Sequence, residues 1–189
     1  MSWAINEAVN VQPEDVLDFW FKEVTPEQRF AKDDALDRRI AERFGDARVA
    51  VLASGAQGWR DTPEALLAAI ILLDQFSRNI HRGKAEAFAA DDLARDLTLA
   101  AIARGWEPRY TPEERQFLYM PLMHAEDAAL QALSVEKFEE LGDEKALAFA
   151  RDHRDVQARY GRFPSRNAAL GRASSPEEQA YLSQPDAGW

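Results

Sequence analysis

Apolar residues recur along most of the chain at the three- and four-residue spacing of amphipathic α-helices, whereas the alternation typical of β-strands is nearly absent. A hydroxyl residue directly before a proline is typical of a helix N-terminus and occurs, among other places, at Thr62, Thr111 and Ser175. The second and third are followed by a glutamate that completes a capping box. The pattern predicts about eight or nine helices joined by short turns.

The helix that starts after Thr62 is predicted to lie at the centre of the fold, because it is apolar on almost every side up to Phe76. Pro121 falls inside an apolar run, so the helix that starts after Thr111 is expected to kink or break there. Further helices are predicted from Pro13, from about Asp33 to Gly55, from about Glu86 to Arg104, from Asp143 to Tyr160, and after Ser175.

Helices connected by short turns tend to pack as antiparallel hairpins, so the predicted fold is an all-α stack of helical hairpins. No linker or low-complexity segment divides the sequence, and its 189 residues suit one well-buried core. We therefore expect residues 1–189 to form a single domain.

Composition and charge exclude several classes of function. The net charge of −10 disfavours nucleic-acid binding, because a negative protein repels the phosphate backbone. The chain has no cysteine, so it has no disulfide, thiolate metal site or cysteine nucleophile. The segment Met1 to Glu7 lacks the basic start and apolar run of a secretory signal, and no apolar stretch reaches the roughly 20 residues that span a bilayer. We expect a soluble, cytoplasmic protein without a membrane partner.

The charge is spread unevenly. Between Arg151 and Arg172 there are six arginines and two acidic residues, a local charge of +4. Gly161 and Pro164 turn the backbone inside this region, so arginines on either side can converge. Guanidinium groups bind carboxylate and phosphate, which favours a pocket for a small anion. The alternative is that these arginines pair with carboxylates across the core.

Asp74 follows the most apolar part of the central helix, and a buried carboxylate there must be paired. Arg78 stands four residues later, at the spacing of an internal ion pair. The pair could be purely structural, since structural ion pairs also occupy such positions.

Three polar residues follow Pro121: His124, Glu126 and Asp127. Histidine and carboxylates could provide acid–base chemistry or bind a divalent metal. A helical zinc motif has two histidines four residues apart, which are absent here, so we expect no metal site.

His153 lies on an apolar helix face, where a hydrogen-bonded core histidine is commoner than a catalytic one. No nucleophile-elbow, phosphate-binding loop or dinucleotide-binding motif is present, so no cofactor is expected.

Several of these motifs occur in an order that resembles a bacterial family, the domain of unknown function 924. They are residues 16–21 (VLDFWF), 71–79 (ILLDQFSRN), 119–127 (YMPLMHAED), 159–167 (RYGRFPSRN) and 170–172 (LGR). The resemblance covers nearly the whole chain and implies a fold similar to tetratricopeptide-type (TPR-like) helical superhelices, but no reaction. The family pattern usually has proline at Ser77, serine at Ala125 and histidine at Ser165. A mechanism that needs a serine hydroxyl at 125 or an imidazole at 165 is therefore not expected in this chain. The polar residues that match are Asp74, Arg78, Asn79, His124, Glu126, Asp127, His153, Arg162, Arg166 and Asn167.

Three hypotheses for function follow from these residues. The first is a binding protein whose arginine-rich pocket holds a small anionic ligand or an acidic peptide, with the ligand-binding residues Arg78, Asn79, Arg159, Arg162, Arg166 and Asn167. Asp74, Glu126 and Asp127 would support that pocket. The second is a hydrolase or lyase in which His124 or His153 transfers protons with Asp127 or Glu126 as partner. The third is a protein-interaction scaffold whose charged motifs serve folding only.

Overall fold

The structure, a computed structural model, describes residues 11–185 and 187–188. The segment Met1 to Glu7, which we expect not to be a secretory signal, lies outside these residues.

The described residues are all-α, as predicted, and contain no strand. Two π-helical turns lengthen helices: Phe19–Glu23 extends the first, and Leu72–Phe76 joins the fourth to the fifth. With that junction counted as one rod, the described residues form nine α-helical rods, in agreement with the sequence prediction. The α-helical segments are α1 Pro13–Asp18, α2 Pro26–Arg29, α3 Asp34–Ala53, α4 Pro63–Ile71, α5 Ser77–Ile80, α6 Asp91–Ala103, α7 Pro112–Met123, α8 Ala128–Leu141, α9 Glu144–Tyr160 and α10 Pro176–Leu182; three 3₁₀ turns cover Ala85–Ala87, Glu107–Arg109 and Pro164–Arg166.

The helix boundaries follow the capping residues seen in the sequence. The hydroxyl of Thr62 accepts a hydrogen bond from the backbone N–H of Ala65 at the start of α4. Both predicted capping boxes, at the starts of α7 and α10, are formed. Helix α9 ends at Gly161, whose φ of 70° is the left-handed conformation that glycine adopts most readily.

Two boundaries differ from the prediction. The helix expected from Glu86 begins only at Asp91, because the carbonyl of Glu86 accepts a hydrogen bond from Arg48 (3.1 Å) and residues 85–87 form a 3₁₀ turn. Helix α7 continues past Pro121 to Met123, so of the two outcomes expected there, a kink or a break, the break does not occur. The apolar side chains around Pro121 are buried, and their packing outweighs the one hydrogen bond that proline cannot make.

Helix α4 lies at the centre of the fold, as its composition predicts. Every residue of α4 except Glu64 is buried, and the helix packs against α1, α6 and α7. Helices α7, α8 and α9 pack in chain order, as hairpin connections favour, while α3 packs against α5 and the π-turn 72–76. A TPR-like superhelix stays a prediction. None of the described helices is long and apolar enough to cross a bilayer.

An aromatic cluster forms the middle of the core on one side of α4. The ring of Phe76, at the end of the π-turn, lies 5.1 to 5.9 Å from the rings of Phe19, Trp20 and Phe44. All four side chains are fully buried. This packing fixes the π-turn that carries Asp74, two residues before Phe76.

Replacing Phe76 with alanine is expected to lower the free energy of unfolding by about 3–5 kcal/mol, because the change leaves a cavity among three fixed rings. Phe149→Ala is a matched control, since Phe149 is 46% exposed and its loss is expected to cost about 0.5 kcal/mol or less. Denaturant unfolding measures both. Equal losses in the two variants would contradict a central role for Phe76.

Candidate functional site

Asp74 is held inside the protein by three side chains. It lies on the π-turn Leu72–Phe76 and is 1% exposed. Its Oδ1 is 2.7 Å from Nδ1 of His124 and 3.1 Å from Nη1 of Arg78, and its Oδ2 accepts a hydrogen bond from Gln75 (2.7 Å). The ion pair expected from the spacing of Asp74 and Arg78 is therefore present. Single π-turns inside α-helices occur frequently at functional sites.

The protonation states of Asp74 and His124 follow from this arrangement. Burial raises the pKa of Asp74, but the positive charge of Arg78 and the contact with His124 outweigh it and hold that pKa well below its ordinary range. Burial and the charge of Arg78 lower the pKa of His124 below 6.5. Near neutral pH a carboxylate therefore meets a neutral imidazole. Because the carboxylate only accepts, Nδ1 of His124 donates and Nε2 carries the lone pair.

The Nε2 atom of His124 contacts solvent. It has no hydrogen-bond partner among the described residues, and it is not one of the buried polar atoms that lack a partner. The side chain of His124 is 15% exposed, against 1% for Asp74. The imidazole thus has one nitrogen fixed by a buried carboxylate and the other available to a molecule in solution.

Two arginines lie beside this pair and share one carboxylate. Asp91, the first residue of α6, accepts two hydrogen bonds from Arg78 (2.9 and 3.0 Å) and one from Arg166 (3.2 Å). The other terminal nitrogen of Arg166 donates to the backbone carbonyl of His124 (2.7 Å). The guanidinium carbon of Arg166 lies 4.7 Å from the ring centroids of both Phe88 and Phe163.

The surroundings of Arg166 disfavour its positive charge, because Arg78 already places one cation there. Burial and repulsion by Arg78 lower the pKa of Arg166 to about 10, despite the attraction of Asp91. The Nε–H groups of Arg78 and Arg166 have no hydrogen-bond partner among the described residues. They are not among the fully buried polar atoms that lack a partner. Each arginine therefore keeps a donor that solvent reaches, while its terminal nitrogens are used internally.

His153 lies next to this cluster on α9. Its ring centroid is 6.0 Å from that of His124 and 5.6 Å from that of Phe163. Its Nδ1 donates to the carbonyl of Phe149 (2.8 Å), and the residue is only 4% exposed. Burial, followed by the neighbouring His124, lowers the pKa of His153 to about 3. His153 is thus a neutral residue of the core at any ordinary pH.

The two acidic residues after His124 have other partners. Glu126 accepts a hydrogen bond from the backbone N–H of Phe163 (2.7 Å) and forms two with Arg172 (2.8 and 2.9 Å). Asp127 is the N-cap of α8, where it accepts from the N–H of Leu130 (2.9 Å). Neither is the partner of His124 in the structure. Asp74, 50 residues earlier in the chain, takes that place.

Four residues of the predicted anion pocket lie outside this cluster. Arg162 forms two hydrogen bonds with Glu178 of α10 (2.7 and 2.9 Å). Asn167 is buried and bonds to Ser174 and Arg172. The other two are Asn79, which donates to Asp37 (2.7 Å), and Arg159, which is exposed and lies over the ring of Tyr160.

The structure therefore brings together Asp74, Arg78, His124, His153 and Arg166 from four separate segments of the chain. Sequence reasoning missed Asp91 and Phe88, which complete this set. An aspartate in the first turn of a helix is common, so Asp91 carries no signal of its own. Among the described residues, no group of three or more His, Cys, Asp or Glu side chains is arranged to hold a metal ion.

The depressed pKa of His153 predicts a loss of stability in acid. The unfolded chain, with a histidine pKa near 6.5, takes up a proton that the folded state refuses until about pH 3. Between pH 6 and 4 the wild-type protein should lose about 1.4 kcal/mol per pH unit more than a His153→Phe variant, which keeps a ring at this position but cannot titrate. Urea unfolding across that range measures the difference. Parallel pH dependence in the two proteins would contradict the assignment.

Comparison with known proteins places the chain in a family. A solved structure of ATU0120, a protein of unknown function from Agrobacterium tumefaciens, is 41% identical and superimposes with a TM-score of 0.86. The match covers 90% of this chain and 96% of that one. No functionally curated protein resembles the chain closely enough to count as a relative. Residues 16–186 match the family described as bacterial protein of unknown function, DUF924. The chain therefore belongs to the DUF924 family.

Proposed function

We propose that the cluster around Asp74 and His124 is an acid–base active site, and that the protein is a hydrolase or lyase acting on a small anionic substrate. The observation that carries the proposal is the 2.7 Å contact between the buried Oδ1 of Asp74 and Nδ1 of His124, with Nε2 facing solvent. A carboxylate that fixes the tautomer of a histidine is the arrangement that prepares an imidazole to accept a proton.

In this site Nε2 of His124 would take a proton from water, for hydrolysis, or from a substrate carbon, for elimination. The imidazolium that forms would then lie against the ionised carboxylate of Asp74, which favours proton uptake at that moment. The lowered pKa of His124 keeps the imidazole in its basic form at neutral pH. Of the two histidines considered from the sequence, His153 is the poorer base, because its pKa of about 3 leaves it little affinity for a proton.

Arg78 and Arg166 would supply the electrostatic part of the site. Their terminal nitrogens are bound to Asp74, Asp91 and the carbonyl of His124, so both guanidinium groups are held rigidly. The free Nε–H group of each could bind a carboxylate or phosphate of the substrate or stabilise negative charge that develops during the reaction. The absence of cysteine and the net charge of −10 fit a cytoplasmic enzyme that does not bind nucleic acid.

One observation favours a second function, anion binding without turnover. Arg166 is held between two phenylalanine rings beside Arg78, and this position lowers its pKa to about 10. A bound anion would relieve the repulsion between the two guanidinium groups. The arginine-rich pocket expected from the sequence would then be reduced to Arg78 and Arg166, because Arg162 is already occupied by Glu178.

His124→Asn is the sharpest test of the enzyme. The asparagine amide can occupy the place of Nδ1 and still donate to Asp74, but it has no counterpart of Nε2. On any small phosphoester, carboxylic ester or hydroxy acid that the wild-type protein turns over, kcat/KM should fall at least about 100-fold. His81→Asn, a substitution of a histidine outside the site, is the matched control and should keep full activity. Equal rates in wild type and His124→Asn would exclude His124 as the base.

Anion binding is tested by thermal unfolding with inorganic phosphate, citrate and small carboxylates. A ligand at 100 times its dissociation constant adds about 2.7 kcal/mol to stability. For a chain of this length that raises Tm by about 5–10 °C. Arg166→Gln should abolish the rise, whereas Arg162→Gln, which removes the contacts with Glu178 and with the carbonyl of Ala173, should lower Tm and leave the rise intact. A rise of the same size in Arg166→Gln would place the anion elsewhere.

A further inference from the structure

At the end of α7 the carbonyls of residues 123–125 have no donor from the helix itself, whereas that of Leu122 accepts from the N–H of Ala125 (3.2 Å). The last carbonyls of any α-helix have no N–H four residues later to accept from, and here residues 122 and 123 are buried. A buried carbonyl without a donor destabilises the folded state, so the turn after Met123 needs donors from another element. His124, the proposed base, is the C-cap residue of this helix.

The donor comes from Gln131, a fully buried residue on α8. Its Nε2 donates to the carbonyls of Met123 and Ala125, both at 2.7 Å, and lies 3.5 Å from that of Leu122. The orientation of the amide is settled by these contacts, because the reverse orientation would place Oε1 against carbonyl oxygens. Oε1 itself is buried and has no hydrogen-bond partner among the described residues.

The two short hydrogen bonds lie on either side of His124. The carbonyl between them, that of His124 itself, accepts from Arg166 (2.7 Å). Three consecutive carbonyls are thus fixed by two side chains from different parts of the fold. The imidazole of His124 has to meet a carboxylate on a different helix, and its position follows from the backbone that carries it.

We infer that Gln131 is a positioning residue for His124, which fixes the turn 123–125 so that Nδ1 meets Asp74 and Nε2 faces solvent. The inference rests on the proposed function of His124 as a base, but its geometry can be tested without a substrate. An imidazole that leaves Asp74 loses the contact that selects the Nδ1–H tautomer, and it also gains water.

The test compares Gln131→Met with Ser134→Ala. Methionine has a similar length but no N–H donor, so it removes both hydrogen bonds to the turn. Ser134 lies one helical turn further along α8, is equally buried, and has a hydroxyl without a hydrogen-bond partner among the described residues. Its truncation therefore disturbs the same helix without touching the turn. Nitrogen-15 NMR of the imidazole reports the tautomer and pKa of His124 in each protein.

In Gln131→Met we expect the single Nδ1–H tautomer of the wild type to give way to a mixture, and the pKa of His124 to rise toward 6.5. Ser134→Ala should leave both unchanged. A Gln131→Met protein that melts earlier but keeps the wild-type tautomer and pKa would overturn the inference and make Gln131 a structural residue only.

Gln131→Asn keeps the inference testable if the methionine variant does not fold. It retains a primary amide in α8 but is one methylene shorter, so it should move the tautomer and pKa of His124 in the same direction; no movement would overturn the inference. The outcome of this test does not depend on whether His124 proves to be a catalytic base. If no substrate is turned over, a shifted tautomer in the Gln131 variants still shows that Gln131 orients His124. If His124 is an active base, an unchanged tautomer still shows that Gln131 does not orient it.

Once an active substrate is known, Gln131→Met should lower kcat by about tenfold to a hundredfold, because small displacements of a catalytic group cost rates of that order. KM should stay near the wild-type value, since Gln131 is buried and does not reach the substrate. A change confined to KM would contradict a positioning role.

Discussion

The carboxylate of Asp74 lies at the end of the most apolar helix of the chain, and its charge has to be neutralised inside the protein. Arg78 comes from the next turn of the same rod and His124 from the end of α7. Removing one partner of a buried ion pair typically costs about 3–5 kcal/mol, because the other charge stays buried. Asp74 therefore ties the π-turn after α4 to the end of α7 through its charge.

The rest of the polar network extends from this carboxylate. Arg78 is bound in turn by Asp91 at the start of α6, and Asp91 also binds Arg166 from the segment after α9. Arg166 returns to the carbonyl of His124, so the chain of contacts closes on itself. Aromatic rings hold the same elements from the apolar side, through Phe76 beneath the π-turn. Rigid placement of this kind is what an acid–base site requires, since the reacting group must hold its orientation.

Much of the charge in this protein stabilises the fold, and that separates the site from its surroundings. The contacts of Arg172 with Glu126, and of Arg162 with Glu178, bind the C-terminal segment to the connections that follow α7 and α9. In these pairs two nitrogens of the guanidinium group bind the two oxygens of one carboxylate. Arg78 and Arg166 differ because each keeps an Nε–H group that solvent reaches. Most arginines of the positively charged segment 151–172 thus form ion pairs with acidic residues outside that segment.

The sequence by itself determined the all-α class, the central position of α4, most helix boundaries and the ion pair of Asp74 with Arg78. These depend on local periodicity, capping residues and a spacing of four, which neighbouring residues settle among themselves. The partner of His124 was decided only by the tertiary structure: Asp127, three residues away, caps α8, and Asp74, 50 residues away, binds the imidazole. For the same reason the sequence did not identify Asp91, Phe88 or Gln131, because their roles depend on which helices pack together. Local rules fix what one segment of chain does, whereas a site built from several separate segments exists only once the core has brought them into contact.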